Sequence, residues 1–136
     1  MFVSKKIIEK CNLIYEQLGQ EHTEFVYQRA LAIELYNLGA TLVEVEKPSP
    51  CYFKDSNGIM HILTQERIDL LAHFPNNEII LLELKNIVKN KLENHIGQVK
   101  KYFTSLKHQN IKPSYGLLIN FPTHSATRVE HIVVSP

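Results

Sequence analysis

The sequence predicts an α/β domain, a mixed sheet flanked by helices, on three observations. Apolar residues recur at helical spacing in the first third of the chain and again past residue 90. Alternating and short apolar runs bounded by proline, glycine and asparagine fill the middle and the end. A helix also separates the two most apolar strands, the arrangement of a right-handed parallel crossover. With 136 residues and no repeat or linker, one domain over 1–136 is expected.

Ile7, Ile8, Cys11, Ile14, Tyr15 and Leu18 predict a helix over 4–18 that ends near Gly19. Thr23 is placed to cap a second helix, carried by Phe25, Val26, Ala30, Leu31, Ile33, Leu35 and Tyr36 to a glycine cap at Gly39. Residues 41–46 alternate, Pro48-Ser49-Pro50 reads as a break, and 52–54 leads into the turn Asp55-Ser56-Asn57-Gly58. The next extended pieces are 59–63 and 67–74. A turn at Pro75-Asn76-Asn77 separates them from a strand over 78–87. Leu92, Ile96, Val99, Phe103 and Leu106 predict a helix over 91–109, and strands are expected at 114–121 and 131–134.

Composition narrows the function classes. No apolar run approaches the roughly 18 residues of a membrane span, and charges interrupt the N-terminal apolar residues, unlike a secretory signal. The expectation is an intracellular protein, cytoplasmic or nuclear, with no membrane partner. Cys11 and Cys51 are the two cysteines, too few for a disulfide scaffold or a four-cysteine zinc site. The formal net charge is +1, but residues 1–84 hold 7 basic and 12 acidic side chains against 8 and 2 in residues 85–136. Such a cationic strip beside an acidic region suits a metal-dependent enzyme on a polyanion, and equally a solvated helix face.

Polar residues inside the most apolar strands demand an explanation: Asp69 in Ile-Asp-Leu-Leu-Ala, and Glu83 and Lys85 in Ile-Ile-Leu-Leu-Glu-Leu-Lys. A buried carboxylate is ordinarily paired, protonated or metal-bound. If the turn is centred on Asn76, Asp69 faces Glu83 and Arg67 faces Lys85, on one side of the hairpin. Two facing carboxylates repel unless a cation lies between them, and a hard Mg²⁺ takes such oxygen ligands. Lys85 would then orient water or stabilise charge on a phosphate. A structural ladder of salt bridges among Asp69, Glu83, Arg67 and Lys85 remains the alternative. The seven histidines lack ligand spacing and read as surface residues, and Tyr15, Phe25, Phe103 and Phe121 as core.

Arg67-Ile68-Asp69, Glu83-Leu84-Lys85 and Gln98 on the following helix resemble the PD-(D/E)xK nuclease superfamily in their order of hairpin, catalytic strand and helix, with an Asp69-to-Glu83 interval longer than the family's. More narrowly, the chain resembles the GxxExxY family. Its motif matches are Leu18-Gly19, Glu24-Phe25-Val26-Tyr27, Ala30–Leu35, Glu46-Lys47-Pro48, Arg67–Leu71, Leu82–Lys85, Gln98 with Tyr102, and Gly116–Phe121. One departure is that the motif's first glycine falls at Glu21.

The resemblance implies a restriction-endonuclease-like core that hydrolyses nucleic-acid phosphodiester bonds, DNA ahead of RNA, with Mg²⁺ or Mn²⁺. Asp69 and Glu83 would be the principal metal ligands, with the Leu84 carbonyl as a third and Glu24 as an accessory ligand. Lys85 would be the catalytic lysine, and Gln98 would reach the site from the next helix. Arg67, Lys89, Lys91, Lys100, Lys101, Tyr27 and Tyr102 are the candidate nucleic-acid contacts, with little base specificity expected. A homodimer or partner subunit would extend the small footprint. The alternative function is an inactive nuclease-fold module that binds nucleic acid or a partner protein.

Overall fold

Helix-period and strand-period segments assemble into one five-stranded sheet with helices on both faces, seen in a computed structural model that describes residues 2–124 and 126–136, the Phe2 side chain excepted. Helix α1 (Phe2–Leu18) buries Ile7, Cys11, Ile14 and Tyr15, the stripe its spacing dictates. It stops at Gly19, whose φ of +80° suits a residue without a Cβ and whose N–H bonds the Tyr15 carbonyl at 2.8 Å. The chain thus takes its left-handed turn at Gly19, and Glu21 needs no positive φ. Helix α2 (Glu24–Asn37) follows its N-cap Thr23 and buries Tyr27, Gln28, Leu31 and Leu35. Phe25, expected in the core, is 53% exposed and lies under the Arg29 guanidinium.

Strand β1 (Leu42–Lys54) runs without interruption through both prolines, contrary to the expected break. The strand order β1-β2-β3-β4-β5 gives the reason: β1 is an edge, where a proline nitrogen facing outward breaks no ladder bond. Its partner β2 (Met60–Phe74) is likewise a single strand. A three-residue 3₁₀ turn, Pro75–Asn77, with Asn76 and Asn77 both at positive φ, leads into β3 (Glu78–Lys85). The hairpin register is the expected one: Phe74 pairs with Glu78, Leu71 with Leu81 and Leu70 with Leu82.

β3 ends two residues early because the Asn120 side chain, fully buried, takes both the N–H (2.9 Å) and the carbonyl (3.1 Å) of Ile87. The predicted 91–109 helix opens as a 3₁₀ turn, Leu92–His95, and becomes α3 at Ile96–His108. Strand β4 (Tyr115–Asn120) lies parallel to β3, as the crossover required, and β5 (Glu130–Val134) closes the sheet antiparallel to β4.

One core layer packs α1 and α2 on Leu70, Leu82, Leu117 and Phe121; the other packs α3 on Ile68, Leu71, Leu81 and Leu118. Gly116 marks the closest approach of α3, since a Cβ there would lie 2.9 Å from Val99 and 3.0 Å from Phe103. No helix among the described residues is long and apolar enough to cross a membrane.

Candidate metal centre

Side chains alternate between the faces of a strand, so Ile68 and Leu70 should share one. They fall instead in opposite core layers, and the break lies at Asp69 between them. On the neighbouring strand, Val45 pairs with Leu70 and Lys47 with Ile68, while the intervening Glu46 has φ +57°, a conformation most residues avoid. On the other side, the β2–β3 ladder stops at Leu70–Leu82. The distortion turns the Asp69 carboxylate into the fork where β2 and β3 part.

There Asp69 Oδ2 accepts the Leu84 N–H at 2.8 Å. Glu83 Oε1 lies 3.5 Å from the Asp69 backbone nitrogen, and Lys85 Nζ lies 3.6 Å from Glu83 Oε2. The structure therefore brings together Asp69, Glu83 and Lys85. Arg67 does not complete the ladder expected opposite Lys85; its Nη1 donates to the Glu46 carbonyl at 3.3 Å.

Both carboxyls are starved of water. Burial, followed by the charge of Asp69, pushes Glu83 up to about 9, against the pull of Lys85. Burial also raises Asp69, opposed by the Leu84 N–H and by a hydrogen bond to Glu83, and assisted by the charges of Glu24 and Glu46. This pair costs free energy when both members ionise without a cation between them.

The donor set suits a hard divalent ion. Because the N–H and carbonyl of one strand residue point the same way, the Leu84 carbonyl shares the β2 side with its N–H and would be the third oxygen of such a set. Among the described residues, no three His, Cys, Asp or Glu side chains gather into a complete ligand set. The rest of the shell would come from water and substrate, as magnesium prefers. Glu24 is exposed and acts on Asp69 through its charge.

Two residues that the sequence reading did not assign to the site hold this corner. Gln28, 2% exposed, donates its carboxamide N–H groups to Glu46 Oε1 at 3.1 Å, Asp69 Oδ1 at 3.3 Å and the Asp69 carbonyl at 3.3 Å. Glu46 is thus tied to Asp69 through the shared Gln28 amide and by its charge, without joining a three-carboxylate ligand set. Its place in Glu46-Lys47-Pro48 was the only sequence signal, while Gln28 is one turn after Glu24 on the same helix face.

Several expected contacts have other employment. Tyr27 is fully buried, stacked on Phe121 at 4.2 Å with its hydroxyl on the Gly19 carbonyl, and so offers no face to a nucleic acid. It instead fixes the loop that delivers Glu24. Tyr102, 2% exposed, also lacks a free face; its hydroxyl donates to the Arg67 carbonyl at 3.1 Å and accepts from Gln98 at 2.9 Å. Gln98 therefore meets Tyr102 rather than a carboxylate. Burial, followed by the charge of Glu83, raises the Tyr102 phenol. Lys89, Lys91, Lys100 and Lys101 are all exposed, the last two on α3.

The sequence profile of the PD-(D/E)XK nuclease superfamily matches residues 2–132. No curated protein matches the chain. The crystal structure of SSO0001 superposes with a TM-score of 0.53 at 14% identity, covering 99% of this chain and 78% of that one, a likeness of fold. From the profile match over nearly its whole length, the chain belongs to the PD-(D/E)XK nuclease superfamily.

Proposed function

We propose that this protein is a divalent-metal-dependent nuclease of the GxxExxY type that hydrolyses phosphodiester bonds, in DNA ahead of RNA. The observation that carries the reading is the buried meeting of the Asp69 and Glu83 carboxyls with the Lys85 amine 3.6 Å from Glu83. Asp69, Glu83 and the Leu84 carbonyl would hold Mg²⁺ or Mn²⁺, which supplies Lewis acidity toward a phosphoryl oxygen and toward water.

The chain's own residues do the rest. The Leu84 N–H fixes one Asp69 oxygen and Gln28 the other, so the carboxylate stays directed into the fork. Lys85 orients the attacking water for in-line displacement, or offsets charge that develops on the phosphoryl oxygens. Lys100 and Lys101, with Lys89 and Lys91 in the preceding loop, offer cations to the backbone phosphates.

A second reading, a nuclease-fold module that binds without cutting, draws on the β1–β2 ribbon, where Phe53, Ile62 and Leu63 are 52%, 58% and 60% exposed. Such a surface also suits a second subunit. The test is incubation with labelled single- and double-stranded DNA and RNA in Mg²⁺, Mn²⁺ or EDTA. Cleavage stopped by EDTA and lost in Glu83→Ala and Lys85→Ala supports the enzyme, whereas salt-sensitive binding with no cutting supports the module.

A further inference from the structure

Between the β1–β2 ribbon and α3 lies a cavity of about 260 Å³. Pockets for drug-sized ligands span roughly 300–1,000 Å³, so this one fits a single heterocycle. Its wall includes two aromatic rings in contact, Tyr52 and His108, with centroids 4.9 Å apart. Its rim carries one acid, Glu66, and one base, Lys101. Ser105, 5% exposed, also lines it, and its buried hydroxyl has no hydrogen-bond partner. A buried hydroxyl left unpaired is costly, and a turn of the side chain into the cavity would let a ligand's polar edge relieve it.

Tyr102 connects the cavity to the proposed metal centre. It is among the lining residues, while its hydroxyl holds the Arg67 carbonyl two residues before Asp69. A strand whose phosphate sits at Asp69 and Glu83 therefore has the cavity within its neighbourhood. Aromatic walls, a carboxylate acceptor, an ammonium donor and a spare hydroxyl are the complement of a nucleobase, which has a π-face and both donor and acceptor edges. A base stacked and paired in a duplex cannot enter such a recess; only an unpaired one can.

We infer that the cavity between the β1–β2 ribbon and α3 receives an unpaired nucleobase, and that the substrate class is single-stranded or locally unpaired nucleic acid. The inference rests on the nuclease reading for its substrate, but its test is one of binding. Affinities of the wild-type protein are measured by fluorescence anisotropy in EDTA, at one salt concentration. The probes are a labelled short single strand, the duplex of equal length, and the same single strand with every base replaced by an abasic spacer.

Stacking alone is worth about 1–3 kcal/mol per base, so the abasic strand should bind at least about fivefold, and up to roughly 150-fold, more weakly than the natural one, and the duplex likewise. Thr104→Phe, at an exposed lining position, plugs the cavity, and Tyr52→Ala removes one wall. Both should erase the preference while leaving the abasic strand's affinity unchanged. Equal binding of natural and abasic strands, a preference for duplex, or discrimination that survives Thr104→Phe overturns the inference, as does failure to bind any nucleic acid. Base discrimination without metal-dependent cleavage would sink the nuclease reading and leave the cavity's assignment standing.

Discussion

Replacing Glu83 with glutamine should stabilise the metal-free protein at alkaline pH while abolishing its use of metal. The Glu83 carboxyl has an ordinary value of 4.5 and is pushed up to about 9 by burial and by Asp69. A group raised on folding contributes stability that is fully present below its unfolded value and is lost as pH climbs through the folded one. The window therefore runs from about pH 4.5 to about pH 9. At 1.36 kcal/mol per pH unit, the loss by pH 8 has a ceiling of about 5 kcal/mol. Proton sharing with Asp69 and approach of the Lys85 amine reduce this to on the order of 2 kcal/mol, or roughly 8 °C in Tm for a domain of this size.

Thermal unfolding of the wild type and Glu83→Gln in EDTA, at pH 5 and pH 8, isolates the effect because other titrations cancel between them. The variant should melt close to the wild type at pH 5 and several degrees above it at pH 8. Mn²⁺ should raise the wild-type Tm at pH 8 and leave the variant's unchanged. A difference between the two proteins that does not vary with pH would refute the claim that the carboxyls confront each other.

Lys85→Ala should lower cleavage by at least about 10²-fold, the scale of losing one transition-state donor, with Mn²⁺ binding retained in a titration. Gln28→Ala frees Asp69 Oδ1 and Glu46 from their shared amide and should weaken Mn²⁺ binding about tenfold by calorimetry, the scale of losing an outer-shell partner. Gly116→Ala forces a methyl to within 2.9 Å of Val99 and should cost about 1–3 kcal/mol in urea unfolding, with no change in metal affinity.

The helices and the hairpin were legible because local rules decide them. The Ile7–Cys11–Ile14 stripe, Gly39 as a cap and the three-residue turn around Asn76 follow from periodicity and backbone preference, and the register they set holds as far as Leu70–Leu82, one step short of Asp69 and Glu83. The proline break failed because edge or centre is a property of the assembled sheet, which 48–50 alone cannot express. Tyr27 and Tyr102 carry phenols that suit either a core or a contact surface; packing against Phe121 in one case and, from α3, in the core layer with Ile68 and Leu81 in the other decides it. Gln28 was invisible for a related reason. Its amide acts only because the chain is distorted at Glu46 and Asp69, where strand alternation, the rule used to read the strands, is broken.

The most direct test of the account is a crystal structure of the protein grown with Mn²⁺, with the metal located by its anomalous scattering. One strong peak is expected in the fork between β2 and β3, at bonding distance from an oxygen of Asp69 and of Glu83, and absent in Glu83→Gln. A wild-type crystal in saturating Mn²⁺ with no peak there, or with the ion bound only elsewhere, would contradict it.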